Sequence, residues 1–295
     1  MRTGQVLTAM VTPMKKDGTV DYQQAVFIAE WLAKNGSDGV VISGTTGESP
    51  TLEYDEKVQL FKEVASAVGG SIEVIAGTGS YNTTESRSLT KAAEQAGVDG
   101  IMLVTPYYNR PSPEGVYQHF RTIAEGSSLP VMLYNVPSRT ALNLEASTVA
   151  RLAEIDNIVA VKEASGNLEQ VAFLRSITPE DFLIYSGDDA ITLPILAVGG
   201  AGVVSVASHL VGRRIKEMVE AFFAGRVKEA TKIHLELLRM FKVLFITTSP
   251  TPVKRALEYV GVPTGPLRLP LVDVTVQEEE TIKEVLRHYG LLERS

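Results

Sequence analysis

The sequence predicts an α/β protein built as one (β/α)8 TIM barrel with an appended C-terminal helical layer. The chain has 295 residues, of which 44% are hydrophobic, and this suits the single core of a barrel of roughly 250 residues. Eight short apolar runs recur along the chain, and their starts lie about 20 to 34 residues apart. Helical patterns occupy most of the intervals. Eight successive βα units favour a closed barrel, and an open doubly wound sheet is the alternative.

The eight runs are rich in β-branched residues and lack polar alternation, which is typical of parallel strands buried on both faces. The predicted strands are 6–11, 39–43, 73–76, 100–104, 131–134, 158–162, 182–186 and 202–206. The clearest helices between them are 21–34, 53–68, 84–96, 114–125 and 144–155, and a further helix is predicted at about 188–198.

Four helical patterns follow the eighth strand, at 213–224, 228–245, 251–260 and 277–288. A barrel needs only one of them. We therefore assign residues 1–224 to the barrel, which carries the active site, and residues 225–295 to a helical extension packed on it. The extra helices suit packing or subunit contact, and three prolines between 263 and 270 indicate a loop within the extension.

Charge and composition argue against several classes of partner. The net charge is −7 and no cluster of Lys and Arg exceeds a dipeptide, so nucleic acid is not an expected partner. The absence of cysteine removes disulfides and thiolate sites and favours a cytoplasmic location. The first apolar segment is too short for a signal peptide. Residues 190–210 are largely uncharged, but a proline and three glycines divide them into a helix and a strand, so no membrane span is expected.

Lys162 is the most informative residue, because it places an ammonium group in the apolar run 158–164, which otherwise predicts a buried strand. One interpretation is a core lysine paired with a carboxylate such as Glu163. The other is an amine made nucleophilic by burial. At the ordinary pKa of about 10.4, only about one lysine in two or three thousand is uncharged at pH 7, and desolvation raises that fraction. Such an amine can form a Schiff base with a keto acid.

The predicted strands end in polar loops, and the chemistry of a (β/α)8 barrel gathers at these ends. Tyr134 and Lys162 fall about four residues into neighbouring strands, so we expect the phenol and the amine at one depth. Residues 44–47 favour either a plain turn or a carboxylate-binding nest. Arg139 is either a surface charge or a bidentate clamp for a substrate carboxylate. The pair Tyr107-Tyr108 is by itself more typical of packing or of an interface.

No metal, nucleotide or other cofactor is predicted. The four histidines, His119, His209, His234 and His288, show no ligand spacing. Asp188-Asp189 is interpreted first as the cap of the following helix and only secondly as a metal site. Gly77-Thr78-Gly79 is too short for a dinucleotide fingerprint, and residues 44–49 lack the Gly-Lys-Ser/Thr of a P-loop.

Four polar segments identify a protein family far more specifically together than any one of them does alone. They are Gly44-Thr45-Thr46-Gly47-Glu48-Ser49, Thr105-Pro106-Tyr107-Tyr108-Asn109-Arg110-Pro111, Tyr134-Asn135-Val136-Pro137-Ser138-Arg139-Thr140 and Val161-Lys162-Glu163-Ala164-Ser165-Gly166. In order and spacing they closely resemble the dihydrodipicolinate (4-hydroxy-tetrahydrodipicolinate) synthase family, within the N-acetylneuraminate lyase superfamily of class I aldolases. The resemblance runs nearly end to end. It implies the barrel, the C-terminal helices and a homotetramer built as a dimer of tight dimers.

The resemblance implies a lyase that condenses pyruvate with L-aspartate 4-semialdehyde in the lysine and diaminopimelate pathway. Lys162 would form an imine with pyruvate, and the derived enamine would attack the aldehyde. Tyr134 would be the general acid/base, linked through the hydroxyl of Thr45 to Tyr108 of the partner subunit. Cyclisation and release from the lysine would give 4-hydroxy-tetrahydrodipicolinate.

The same resemblance implies the substrate-binding residues. Thr45 and Thr46 would hold the pyruvate carboxylate. Arg139 would bind the carboxylate of the second substrate and orient the catalytic tyrosine. The backbone at Gly187 and Val204 would line the site.

Members of the family that are inhibited by lysine bind it at the dimer interface. The matching positions here are Ser49, Pro50, Tyr54, Lys57, Tyr81, Glu85 and Tyr107. Lys57 departs from the pattern, since inhibited members often have histidine there. A cation at this position should repel a cationic effector, so we expect weak or absent inhibition by lysine.

Two other functions remain open at the level of sequence. A pyruvate-dependent aldolase for N-acetylneuraminate or a 2-keto-3-deoxy sugar acid would share the lysine and the tyrosine, but such enzymes generally lack Arg139. A non-catalytic keto-acid-binding barrel would be expected to have lost Lys162, Tyr134 or Arg139, and all three are present.

Overall fold

Eight parallel strands close into a barrel in the computed structural model, which describes residues 4–293. The strands pair in sequence order, and β8 closes the barrel against β1. Their bounds are β1 Val6–Ala9, β2 Gly39–Ile42, β3 Glu73–Gly77, β4 Gly100–Val104, β5 Val131–Asn135, β6 Ile158–Glu163, β7 Leu183–Ser186 and β8 Gly202–Ser205. Each predicted strand differs from these bounds by at most two residues at either end, and the predicted (β/α)8 fold is confirmed.

Helices cover the outside of the barrel and continue beyond it. Within residues 4–293 they are α1 Tyr22–Lys34, α2 Tyr54–Val68, α3 Thr83–Ala96, α4 Pro113–Ala124, α5 Pro137–Thr140, α6 Ala146–Leu152, α7 Leu168–Ile177, α8 Thr192–Ala197, α9 Ser208–Phe223, α10 Val227–Val243, α11 Thr251–Tyr259 and α12 Val276–His288. Short 3-10 turns lie at Ser49–Thr51 and Asp189–Ile191. The helix predicted at 188–198 is therefore divided into a 3-10 turn and α8.

The start of α9 differs from the prediction. The sequence predicts a helix from residue 213, whereas α9 begins at Ser208 and passes through a non-helical Val211. Gly212 suggests a break, but here it allows close packing: a Cβ atom at this position would lie 2.5 Å from the carbonyl oxygen of Asn35, at the end of α1. Gly212 lies directly after the kink at Val211, where α9 resumes regular helical geometry, and it permits the close contact with Asn35.

Helix α7 is absent from the clearest sequence patterns, although Asn167 caps its first turn by accepting a hydrogen bond from the Gln170 N–H. The helix was not recognised because its outer face is also apolar, and Leu168, Phe173 and Ile177 are exposed there. Apolar residues on both faces blur the amphipathic period by which a helix is recognised.

The C-terminal helices share the core of the barrel. Leu237 and Phe241 of α10 and Leu257 of α11 are buried in the same apolar cluster as the strands. Burial of one such side chain stabilises by about 1.5–3 kcal/mol, so these helices are part of the folded unit. The boundary at residues 224 and 225 falls between the end of α9 and the start of α10, and the division into two domains stays a prediction.

No helix in the described part of the chain is long and apolar enough to cross a membrane. The uncharged segment 190–210 contains α8 and β8, as its proline and glycines predict. The predictions that concern Met1 to Thr3 at the start of the barrel domain, and Arg294 and Ser295 at the end of the extension, lie outside the described residues.

Candidate active site

Lys162 and Tyr134 lie side by side near the C-terminal ends of β6 and β5. Their Cα atoms are paired in the register of the two strands, which confirms the predicted common depth. The Nζ atom of Lys162 lies 4.3 Å from the centroid of the Tyr134 ring, and the lysine is only 5% exposed. The ammonium therefore faces an aromatic π-surface in a largely desolvated position.

Glu163 does not pair with Lys162. Successive side chains of a strand point to opposite faces. The Glu163 carboxylate accepts hydrogen bonds from Asn135 Nδ2, from the Ser165 N–H and from Gln170 Nε2. Within residues 4–293, Lys162 has no salt-bridge partner. The interpretation of Lys162 as half of a structural ion pair with Glu163 is therefore wrong.

The hydrogen bonds of Glu163 form a brace that the sequence analysis missed. Asn135 and Glu163 are paired across β5 and β6, one residue beyond Tyr134 and Lys162, and both are fully or almost fully buried. Because the brace links the two strand ends directly, it fixes Lys162 and Tyr134 relative to each other. The signal in the sequence was an uncompensated Glu immediately after the lysine, in a strand buried on both faces.

Gly187 leaves space for the side chain of Lys162. A Cβ atom at position 187 would lie 3.1 Å from both Cγ and Cε of Lys162 and 2.7 Å from Cβ of Ala164. The Gly187 N–H donates to the carbonyl of Glu163, which holds the backbone at this close approach. A side chain here must displace the lysine or the loop.

We predict that Gly187→Ala lowers kcat/KM by about 10²-fold, since a displacement on the order of 1 Å at a catalytic group has this effect. Far-ultraviolet circular dichroism should remain that of the wild type. The control is Gly126→Ala, because Gly126 is exposed and a Cβ atom there meets no atom closer than 3.4 Å. Full activity in Gly187→Ala would show that Lys162 tolerates the added methyl group.

The loop of residues 44–49, which follows β2, is held tightly against the barrel. Ser43 lies in the left-handed region with φ 53°, and the N–H groups of Gly47 and Ser49 both donate to the carbonyl of Gly44. Within residues 4–293 the hydroxyls of Thr45 and Thr46 have no hydrogen-bond partner. Thr45 also lines the adjacent cavity, so its free hydroxyl is available to a ligand, whereas Thr46 is buried.

A cavity of about 450 Å³ opens at this end of the barrel. Its wall includes Thr45, Tyr134 and Arg139, together with the predicted regulatory positions Ser49, Pro50, Lys57, Tyr81, Glu85 and Tyr107. Thr46, Lys162, Gly187 and Val204 are not part of this wall, and Lys162 is joined to it through its contact with Tyr134. The structure thus places Thr45, Arg139 and most of the predicted regulatory residues beside Tyr134, and leaves Thr46, Gly187 and Val204 outside this cavity wall.

Arg139 reaches the cavity from α5, a single turn that the sequence analysis treated as a loop. The turn begins at Pro137 and ends at Ala141, which is left-handed with φ 54°. Arg139 is exposed, and within the described residues it has no carboxylate partner. A guanidinium without a protein partner beside a cavity is available to bind a carboxylate from solution.

Tyr108 does not line this cavity. It is 92% exposed and adopts a left-handed φ of 70°, whereas Tyr107 packs edge-on against Tyr81 with ring centroids 5.1 Å apart. The structure shows no hydrogen bond between Tyr134 and Thr45. A hydroxyl relay from Tyr134 to Tyr108 is therefore not formed within one protomer.

The remaining polar residues that the sequence singled out have structural roles. Asp188 caps the 3-10 turn by accepting from the Ala190 N–H, as predicted. Asp189 is buried and accepts from Ser205 and from the N–H groups of Val206 and Ala207, which secures the end of β8. Among the described residues, no group of three or more His, Asp or Glu side chains could hold a metal ion.

Two histidines are built into the core as neutral groups. Burial lowers the pKa of His119 and of His209 to about 4. His209 accepts from the Val11 N–H through Nε2, so its Nδ1 carries the proton and donates to the carbonyl of Val206. Neither group is poised to move protons near neutral pH.

Comparisons with known proteins agree with this geometry. The model of the dihydrodipicolinate synthetase family matches residues 2–289. The chain belongs to this family. It is 57% identical over 290 residues to the 4-hydroxy-tetrahydrodipicolinate synthase of Desulforamulus reducens, covering 98% of both chains. The synthase of Moorella thermoacetica is 55% identical over 292 residues, covering 99% of this chain and 100% of the relative.

Solved structures from the dihydrodipicolinate synthetase family superpose closely on this chain. The enzyme of Cyanidioschyzon merolae, crystallised with lysine bound, gives a TM-score of 0.97 at 49% identity and covers 98% of this chain and 99% of its own. The identity is high enough over the whole length for the family to bear on function as well as fold.

Proposed function

We propose that this protein is a lyase that condenses pyruvate with L-aspartate 4-semialdehyde through a Schiff base on Lys162. The observation that carries the proposal is the pairing of Lys162 with Tyr134 at the C-terminal end of the barrel. Near full-length relatives at 50% to 57% identity bear the name 4-hydroxy-tetrahydrodipicolinate synthase, which supports the same substrates and product here. The product serves lysine and diaminopimelate biosynthesis.

The reaction begins at the ketone of pyruvate. The uncharged amine of Lys162 attacks the carbonyl carbon, and loss of water gives an imine. Removal of a proton from the methyl group gives an enamine, whose carbon bonds to the aldehyde carbon of the second substrate while the aldehyde oxygen gains a proton. The amino group of that substrate then attacks the imine carbon and displaces Lys162, which leaves as a free amine. No cofactor enters these steps.

Tyr134 is placed to move these protons. A phenol with an ordinary pKa of about 10 is a weak base at pH 7, so it needs a cation or a relay beside it. Lys162 contacts its ring, and Thr45 and Arg139 share its cavity. Tyr108 of the partner subunit would complete the relay in a tight dimer, and its exposure in one protomer agrees with this arrangement.

The free hydroxyls of Thr45 and Thr46 bind the pyruvate carboxylate, and Arg139 binds the carboxylate of the second substrate. Gly187 and Val204 line the site through their backbones. The relay needs a second chain and therefore a tight dimer, and a homotetramer made of two such dimers is part of the proposal. A cytoplasmic location stays a prediction from the sequence.

The test is pyruvate consumption with a panel of aldehydes, namely aspartate semialdehyde, N-acetylmannosamine and glyceraldehyde. Turnover confined to aspartate semialdehyde is the expected result, because Arg139 offers a carboxylate partner where a sugar would need hydroxyl-binding groups. Preference for a sugar aldehyde would be consistent with an imine on Lys162 but would assign the protein to the sugar-acid aldolases. Absence of turnover with every aldehyde would favour a keto-acid-binding barrel.

Free lysine is predicted to inhibit weakly or not at all. Lys57 and Glu85 line the same cavity, so the pocket that would receive lysine already contains a cation beside its acidic residue. Burial lowers the pKa of Lys57, and the nearby charges of Glu85 and Glu53 offset part of that shift. The cation competes with an amino-acid effector for Glu85 and repels it.

Initial rates with lysine up to millimolar concentrations measure this. Lys57→Gln should increase sensitivity to lysine by about fivefold, because removing the like charge recovers on the order of 1 kcal/mol. Lys62→Gln, at an exposed site on the same helix, is the control. An inhibition constant in the micromolar range for the unaltered protein would overturn the prediction.

A further inference from the structure

A buried ion pair joins the 44–49 loop to the C-terminal helices. Glu48 of the loop and Lys254 of α11 lie 2.8 Å apart between carboxylate Oε1 and Nζ. Their side chains are 0% and 3% exposed. The two residues are separated by 206 positions in the chain, so this contact exists only in the folded protein.

The pair sits at the junction of three chain segments. Lys254 Nζ also donates to the carbonyls of Thr12 and Pro266, at 3.3 and 2.8 Å. The second oxygen of Glu48 accepts from the Arg268 N–H at 2.9 Å. The hydroxyl of Thr12 donates to the carbonyl of Gly47 at 2.7 Å. The segment that follows β1, the loop and the C-terminal segment are thus fixed to one another by fully partnered polar groups.

Stability alone is a weak reason for such a pair. Two charges lose their hydration when buried, and apolar residues of similar volume often stabilise a core equally well or better. What a hydrogen-bonded ion pair adds is directional constraint. Glu48 needs it, because it is a non-glycine residue in the left-handed region, with φ 55°.

The constraint on Glu48 passes directly to the threonines. The Glu48 N–H donates to the carbonyl of Thr45 at 3.1 Å, so residues 45–48 form one closed turn. If the Glu48 side chain is released, the turn loses the anchor that sets where Thr45 and Thr46 present their hydroxyls.

We propose that Lys254, acting through Glu48, is a positioning residue for the carboxylate-binding loop, so that the C-terminal helices set the affinity for pyruvate. This inference rests on the proposed role of Thr45 and Thr46 in binding pyruvate. Lys254 does not contact the substrate and takes no part in the proton transfers. Its effect on binding falls on the first substrate, and any shift of Thr45 also lowers kcat, because Thr45 belongs to the proposed proton relay.

The first experiment compares Lys254→Met with the unaltered protein in steady-state kinetics. The KM for pyruvate should rise by about tenfold or more, while the KM for aspartate semialdehyde changes by less than about threefold, because only one subsite is disturbed. The matched control is Lys216→Met. It breaks a part-buried ion pair to Asp38, 2.7 Å long, at the N-terminal end of β2, and should leave both KM values unchanged.

Glu48→Gln keeps the shape of the side chain and removes its charge, and it provides the test should Lys254→Met fail to fold. Its KM for pyruvate should also rise. In the double variant, the two effects should be strongly non-additive, because both act through one contact. Full additivity, or an equal rise in both KM values, would mean that the pair serves only general stability and would overturn the proposal.

Borohydride reduction separates this inference from the proposed function. The Lys254→Met protein should still trap pyruvate on Lys162, but half-maximal trapping should need about tenfold more pyruvate. Half-maximal trapping at the wild-type concentration would refute the role of Lys254 and leave the proposed function intact. Failure of the unaltered protein to trap pyruvate would instead refute the proposed function itself.

Discussion

Lys162→Ala should lose at least about 10⁴-fold in turnover, because the variant has no amine to form the imine on which every later step depends. The structure adds a reason why no other group replaces it. The lysine occupies a buried position beside Tyr134, in space left by Gly187. Steady-state rates of pyruvate consumption with aspartate semialdehyde measure the loss.

The control for this variant is Lys62→Ala, which removes an exposed lysine on α2 and should keep full activity. The Lys162→Ala protein should remain folded, since Lys162 forms no salt bridge within residues 4–293. Turnover within tenfold of the unaltered protein would show that catalysis does not pass through Lys162.

Tyr134→Phe should reduce turnover by about 10²- to 10⁴-fold, the range expected for loss of a general acid/base. The ring remains in place against Lys162, so the geometry of the amine is kept. Pyruvate should therefore still be trapped on the lysine by borohydride. The combination of retained adduct and lost turnover separates proton transfer from binding.

Tyr185→Phe is the matched control, because Tyr185 is paired with Lys162 on the other side, in β7. Its hydroxyl donates to the carbonyl of Gly4 and does not serve the cavity. Loss of that hydrogen bond should lower stability by about 1 kcal/mol and leave kcat unchanged. A Tyr134→Phe variant that keeps kcat within threefold of wild type would exclude the proposed proton transfer.

The strands were predictable because a strand that is buried on both faces has an uninterrupted apolar sequence. A helix is recognised in a sequence by the difference in hydrophobicity between its buried and exposed faces. The exposed Phe173 of α7 reduces that difference. The predicted start of α9 at residue 213 falls just after the kink at Val211, so the prediction missed only the short turn before that kink.

The pairing of Tyr134 with Lys162 was predictable because equal positions in consecutive barrel strands place side chains at equal depth, and the register of the two strands confirms that depth. The contacts that hold the loop of residues 44–49 in place were not predictable. The contact of Glu48 with Lys254 joins distant parts of the chain, and neither residue shows in the sequence which partner it will find. The position of Tyr108 in an assembly also depends on a second chain.

The most direct measurement is the location of the covalent adduct. The unaltered protein is incubated with pyruvate, reduced with borohydride, digested and mapped by mass spectrometry. We expect one reduced pyruvate per chain, on Lys162, and suppression of that adduct by omission of pyruvate. An adduct on a different lysine, or none at all, would contradict the assignment of Lys162 as the Schiff-base residue.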